Sequence, residues 1–204
     1  MAPLFTPRAD ARLRLALVVA ALLAVLALAL GYAWARSGST WAIGKPTEQP
    51  IPFSHAVHAG QLGLDCGFCH SNAARGASAG MPSGELCLGC HQRVWNVTAQ
   101  FAPVQAAVDT GMATQWASVH RLPDHVRFHH AAHLAAGMTC ATCHGAVETM
   151  PRTVRAETLS MGWCLDCHRD PRSRGLTPVG LGAQPYVHAG VEVPPLTRCT
   201  VCHK

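Results

Sequence analysis

The chain has 204 residues, enough for one ordinary domain, but only 13% of them are charged and only 6% are aromatic. This composition supplies few large side chains and excludes a core built mainly from them, so something else is expected to fill the interior. The formal net charge of +5 is only a weak indication of any partner.

An uncharged run of twenty residues, from Leu15 to Trp34, lies near the N-terminus and is rich in Leu, Ala and Val. A run of this length can span a bilayer. Three arginines precede it: Arg8, Arg12 and Arg14. They predict that the N-terminus stays in the cytoplasm, so residues 1–36 are predicted to be a stub and a single-pass anchor. A cleaved signal peptide is the alternative, because Ala33 to Ala35 form an A-x-A site.

The segment 37–50 contains Pro and Gly without any hydrophobic period, which predicts a linker leading away from the membrane. Residues 51–204 then form the predicted soluble domain, on the periplasmic side. Hydrophobic periodicity is weak there, and turn signals interrupt short helical pieces. The predicted fold is mainly α and irregular, with little or no sheet.

All ten cysteines fall into five C-x-x-C pairs, and a histidine follows each pair at once. The pairs are Cys66 with Cys69, Cys87 with Cys90, Cys140 with Cys143, Cys164 with Cys167, and Cys199 with Cys202, and the histidines are His70, His91, His144, His168 and His203. Two thiols at this spacing can bond to the two vinyl groups of one haem, and the next residue places an imidazole under the iron. The pattern therefore predicts five covalently bound c-type haems, around which the domain wraps.

Two other interpretations of the cysteine pairs are weaker. Zinc ribbons need paired C-x-x-C motifs but give no reason for a histidine directly after each pair. Thioredoxin-like redox pairs need a βαβ context, which the sequence does not indicate. Haem attachment accounts for all five motifs.

An internal repeat organises the predicted domain into residues 51–100, with haems 1 and 2, and residues 125–204, with haems 3 to 5. An F-x-H-x-x-H segment begins at Phe53, thirteen residues before the first haem cysteine, and another begins at Phe128, twelve residues before the third pair. Part of this segment also precedes the fifth motif, where His188 occurs without a second histidine three residues later.

The histidines of this repeat are predicted to be distal ligands. A histidine on a short helix ahead of an attachment motif can fold back over the iron of the same haem. The residues that fit this role are His55, His130 and His188. A histidine three positions further on lies on the same helix face and can reach a neighbouring haem, which is the role predicted for His58 and His133.

Three further residues are candidates for a distal position, and the choice among them stays open. His120 and His125 lie between the two halves of the repeat, and Met161 stands three residues before a haem cysteine. Methionine ligation would raise the potential of that haem above that of its neighbours with two histidine ligands.

Three strings carry a resemblance to a known family: PFSHAVHAG…CGFCH, VHRLPDHVRFHHAAH…CATCHG and LSMGWCLDCHR. Together with the single anchor, they resemble the pentahaem cytochrome c subunit of bacterial alternative complex III, over nearly the whole chain. The haem-wrapping pattern is also similar to that of the small c3/c7 cytochromes. The resemblance implies the bacterial cytoplasmic membrane as location, and a relay of electrons from quinol to a soluble cytochrome c, a copper protein or an oxidase. It implies multi-span quinol-binding subunits and an iron–sulfur subunit as partners.

The charge balance changes once haem is counted. Each haem brings two propionates against at most one positive charge at its core, so five haems subtract roughly 5 to 10 charges from the chain. The loaded domain is then about neutral or acidic, and we expect no nucleic-acid partner.

Two other classes of function compete with a relay. A multihaem reductase would keep one haem open for substrate, whereas here every motif ends in histidine and further histidines are abundant, so no catalytic residue is predicted. A stand-alone membrane-anchored quinol dehydrogenase that feeds periplasmic reductases shares the anchor and the haem count. It would purify without large membrane subunits.

Overall fold

The computed structural model describes residues 6–95, 99–170, 187–188, 191–192 and 196–203. The chain divides into two compact units, Met1–Ile43 and Gly44–Lys204. The division falls inside the segment 37–50, whose boundaries as a linker stay a prediction.

The first unit is dominated by one long helix, α1 (Pro7–Ala35). The side chain of Thr6 caps it by accepting a hydrogen bond from the backbone N–H of Ala9, and a proline occupies its first turn, as is common at helix starts. None of its residues is buried, and its mean hydropathy of 2.7 over the most apolar window makes it long and apolar enough to cross a membrane. The helix begins before the predicted apolar run, because the preceding Ala, Arg and Leu residues also favour helix.

The second unit consists of short helices joined by irregular segments. In chain order they are a π-helix (Ala56–Gln61), α2 (Cys66–Cys69), α3 (Gly84–His91), a 3-10 helix (Ala99–Phe101), α4 (Ala102–Thr110), α5 (His130–Ala135), α6 (Cys140–His144), a second 3-10 helix (Val147–Thr149), α7 (Met161–Arg169) and α8 (Cys199–Cys202). Strands β1 (Val187–His188) and β2 (Val191–Glu192) form an antiparallel pair. The predicted mainly helical and irregular fold with little sheet is confirmed.

A small apolar cluster forms where α3 and α4 pack together. Ile51, Leu88 and Val104 are its buried members. Gly84 allows close packing, since a Cβ at this position would lie 3.1 Å from the carbonyl oxygen of Val104. The helix α4 ends at Gly111, whose φ of +66° is the left-handed conformation that glycine adopts without strain.

Equivalent backbone hydrogen bonds join the two halves of the repeat. The N–H of Ala56 donates to the carbonyl of Met150 at 3.0 Å, and the N–H of Ala131 donates to that of Gly76 at 3.1 Å. Each donor directly follows the first histidine of an H-x-x-H pair, and each acceptor lies six residues after the motif histidine of the other half. The segment after each attachment motif therefore contacts the H-x-x-H segment of the other half.

We expect Gly60→Ala to weaken this contact between the halves. A Cβ at residue 60 would clash with the backbone carbonyl oxygen of Glu148, which cannot swing away as a side chain would. Overpacking of this kind costs about 1–3 kcal/mol in the free energy of unfolding. Thermal unfolding should show a lower midpoint, whereas the control Gly162→Ala, where nothing lies closer than 4.0 Å, should keep or raise it. Equal midpoints for the two variants would contradict the contact.

Candidate functional site

The attachment motifs share one local structure, in which the first cysteine lies in a short helix and the second follows one turn later. Side chains of Asp65, Ser83 and Ser160 cap three of these helices by accepting backbone N–H groups at 2.7, 3.4 and 3.2 Å. Residues three apart lie on the same face of a helix, so both sulfurs of a pair face the same side. We number the sites 1 to 5 in the chain order of their cysteine pairs.

All ten thiols are free, and none is fully buried. Four are exposed, namely Cys66, Cys90, Cys140 and Cys199, and six are half-buried, namely Cys69, Cys87, Cys143, Cys164, Cys167 and Cys202. At site 2 the exposed Cys90 follows the half-buried Cys87 on α3, whereas at site 4 both Cys164 and Cys167 are half-buried on α7. The thiols therefore remain accessible for bond formation, and a thioether bond at each of them stays a prediction.

Four motif histidines each face a second histidine across a similar gap. The ring centres are 6.0 Å apart for His58 and His91, 6.4 Å for His130 and His144, 6.1 Å for His133 and His168, and 5.5 Å for His125 and His203. Two imidazoles on opposite sides of one metal, each bonded at roughly 2 Å, have ring centres roughly 6 Å apart. The four separations fit an iron between the rings.

The fifth motif histidine, His70, has His55 as its neighbour. Burial lowers the pKa of His55, and the proximity of His70 is the next largest cause. The two H-x-x-H segments also have the same local geometry. Phe53 lies edge-on to His55 at 4.8 Å and stacks on His58 at 4.4 Å.

In the second half, Phe128 makes the corresponding contacts, edge-on to His130 at 4.8 Å and stacked on His133 at 4.5 Å. The first H-x-x-H pair lies at a π-helix and the second on an α-helix. Aromatic packing therefore orients the imidazoles in the same way in both halves, despite the different helix types.

Backbone carbonyls fix the tautomer of most of these imidazoles. Six histidines place Nδ1 within 2.7–3.1 Å of a carbonyl oxygen: His58, His70, His91, His130, His133 and His168. An Nδ1–H that donates to a carbonyl leaves the Nε2 lone pair free for a metal and makes the ring a stronger ligand. His55 differs, because its Nδ1 lies 2.9 Å from the hydroxyl Oγ1 of Thr153.

The cysteines reveal which sites lie side by side. Burial, followed by the neighbouring Cys69, raises the pKa of the Cys87 thiol, so sites 1 and 2 are adjacent. Burial, followed by the neighbouring Cys140, raises the pKa of the Cys66 thiol. Sites 1 and 3 are therefore adjacent as well.

Sites 3, 4 and 5 continue the series. Burial raises the pKa of Cys143 to about 11, and the next causes are Cys164 and then Cys167, the two thiols of site 4. Burial, followed by Cys202, raises the pKa of Cys164. Site 5 also contacts the start of the second half, since the N–H of Arg127 donates to the carbonyl of Cys202 at 2.6 Å. These neighbouring thiols indicate the spatial order 2, 1, 3, 4, 5.

The interior of the described part suits a large apolar group with an acidic edge. The only buried hydrophobic residues among those described are Ile51, Leu88, Val104 and Ala107. Two buried nitrogens in the same part lack a hydrogen-bond partner, Nε1 of Trp116 and Nε2 of His120. Buried polar atoms normally have a partner. Haem, with an apolar ring and two propionates, fits both observations, and the free thiols and facing imidazoles fit its covalent and axial attachment.

Three predicted distal ligands stand outside the five histidine pairs. The ring of His120 lies 4.3 Å from that of His144 and edge-on to it, too close for an iron between them. Met161 is 65% exposed at the start of α7. The side chain of His188 lies outside the described residues, so its role as a ligand stays a prediction.

The sequence did not predict two features of the site. One is the hydrogen bond between Thr153 and His55, and the other is the pair of backbone hydrogen bonds between the halves. Neither belongs to a motif. The only local sign of the backbone hydrogen bonds is that their acceptors, Met150 and Gly76, occupy matching positions in the repeat.

Comparison with known proteins gives two matches. Residues 126–204 match the family described as cytochrome c7 and related cytochrome c. The chain is also similar to the menaquinone reductase, multiheme cytochrome c subunit, of Nitratidesulfovibrio vulgaris. The two are 30% identical over an alignment of 178 positions, and the match covers 77% of each chain.

Proposed function

The chain belongs to the c7-like multihaem cytochromes c, and we propose that it is the electron relay of a quinone-linked membrane complex. As a cytochrome c it carries covalently bound haem. We propose five such groups, one at each site. The observation that carries the proposal is that four motif histidines face a second histidine across about 6 Å, while the fifth, His70, has His55 as a neighbour. Two axial imidazoles leave an iron no open position for substrate.

The proposed distal ligands are one histidine for each site. They are His55 for site 1, His58 for site 2, His130 for site 3, His133 for site 4 and His125 for site 5. Haem bound in this way supplies one-electron exchange at an iron that is already saturated. The residues of the chain supply the rest: thioether bonds from the cysteines, fixed tautomers from the carbonyl acceptors, and ring orientation from Phe53 and Phe128.

The spatial order of the sites supports a continuous path with two ends. Each H-x-x-H helix would serve two sites, and the backbone hydrogen bonds from Ala56 to Met150 and from Ala131 to Gly76 join the two halves. Sites 2 and 5 are the ends of the series, so we propose that the electron donor and the electron acceptor approach these two sites.

The helix α1 supports an anchor beside the quinone pool, and the arginines that precede its apolar run support an extracytoplasmic haem domain. We propose that the complex is of the alternative complex III type. It would oxidise quinol with multi-span and iron–sulfur subunits and pass electrons outward to a soluble carrier or an oxidase.

Quinone reduction is the second candidate direction, and the name of the relative, a menaquinone reductase subunit, favours it. Both directions use the same relay, and the spatial order of the sites is compatible with either.

The test is to purify the full chain from its native membranes in mild detergent. We expect it to copurify with multi-span and iron–sulfur subunits. Addition of a short-chain quinol should reduce its haems in this complex, as followed by absorbance, and the full chain separated from its partners should give no reduction. Oxidation of the reduced haems by quinone, without reduction by quinol, would favour the second direction. Quinol oxidation by the separated chain would overturn the relay in favour of a stand-alone quinol dehydrogenase.

A further inference from the structure

We propose that Thr153 is a positioning residue that sets the orientation and the reduction potential of the haem iron at site 1 through His55. The inference rests on the proposed ligand role of His55. It is carried by a difference between the halves, since Nδ1 of His55 meets a side-chain hydroxyl while its counterpart His130 meets the carbonyl of Ala77.

The hydrogen bond can run in only one direction in a ligand. An imidazole that binds iron through Nε2 must carry its proton on Nδ1, so the Nδ1–H of His55 donates and Oγ1 of Thr153 accepts, at 2.9 Å. A hydroxyl can donate or accept, so iron binding sets this direction, and Thr153 then holds the ring in the tautomer that binds iron. It does so from the other half of the repeat, far away along the chain.

The backbone around Thr153 holds the hydroxyl in place from both sides. Three residues earlier, the carbonyl of Met150 accepts the N–H of Ala56 at 3.0 Å. The next residue, Val154, forms an antiparallel bridge with Pro46. Threonine is also stiff at its first side-chain torsion, so its hydroxyl position follows the backbone.

The consequence for site 1 follows from acceptor strength. An acceptor on Nδ1–H increases the electron density of the ring and favours ferric iron, and a hydroxyl accepts less strongly than an amide carbonyl. His55 should therefore donate less to its iron than His130 does to the iron of site 3. Site 1 is therefore expected to have a higher reduction potential than site 3, its equivalent in the other half.

The experiment is a redox titration of the full-length, haem-loaded chain with Thr153→Val, which keeps the shape and removes the hydroxyl. One component of the titration should rise in potential, with a change of up to about tenfold in its ferric-to-ferrous ratio, or about 59 mV for a one-electron couple. The electron paramagnetic resonance signal of one low-spin ferric haem should also change, because the ring of His55 is no longer fixed.

The conservative variant Thr153→Ser keeps a hydroxyl and should restore both readouts. The matched control is Thr149→Val, because the hydroxyl of Thr149 donates to the carbonyl of Ala146 at 2.7 Å in the same segment. It should titrate like the unaltered chain. If Thr153→Val folds poorly, Thr153→Ala replaces it with the same expectation.

Unchanged potentials and spectra in Thr153→Val, or a Thr153→Ser variant that resembles Thr153→Val, would overturn the proposal. The mass of each sample separates this failure from failure of the proposed function. Fewer than five attached haems in the unaltered chain would contradict the proposed relay. Five haems with unchanged potentials would contradict only the role of Thr153.

Discussion

Replacement of both Cys140 and Cys143 with alanine is expected to remove one covalent haem and to destabilise the whole haem domain. Site 3 is central in the spatial order, with site 1 on one side and site 4 on the other. Removal of a buried group larger than a tryptophan side chain should cost more than the roughly 3–5 kcal/mol typical of Trp→Ala. The small apolar cluster around Leu88 cannot compensate for a loss of this size.

The matched control is replacement of Cys199 and Cys202, which also removes one haem but at the end of the series. Intact mass should fall by one haem in both variants, whereas thermal unfolding should show the larger loss for the central pair. Five attached haems in the central variant would contradict the assignment of the motif. Equal destabilisation by the two variants would contradict the spatial order.

The fold class was predictable because composition limits it. A chain with 6% aromatic residues cannot build a large core from side chains, and five attachment motifs indicate what takes that place. The paired H-x-x-H segments could also be predicted from the sequence, since spacing alone places both imidazoles of a pair on one helix face.

Contacts between segments far apart in the chain could not be predicted from the sequence in this way. The sequence offers His120, His125 and His188 with equal chemistry, and the closeness of His125 to His203 depends on a backbone bridge between Val126 and His203. Backbone bonds involve groups that every residue possesses, so they leave no signature in residue type. The bond from His55 to Thr153 is hidden for a related reason, because a single threonine carries no motif.

Replacement of His133 with alanine is expected to leave one iron five-coordinate. The ring of His133 lies 6.1 Å from that of His168, and its Nδ1 lies 2.9 Å from the carbonyl of His129, which fixes the tautomer with Nε2 free. Because His133 is the histidine that faces His168, the distal position at site 4 should stay open to a small ligand. One haem in five should become high-spin and bind carbon monoxide, while the low-spin signal falls by about one fifth.

His129→Ala is the matched control, because it removes an adjacent imidazole and keeps the backbone carbonyl that accepts from His133. It should stay fully low-spin. His120→Ala and Met161→Leu extend the test to the other predicted ligands. Both should also stay low-spin, since the ring of His120 lies too close to that of His144 and Met161 is exposed. A high-spin haem in Met161→Leu together with an unchanged His133→Ala would show that methionine, and not His133, binds the iron of site 4. That haem would then have the highest potential of the series, because methionine ligation favours ferrous iron.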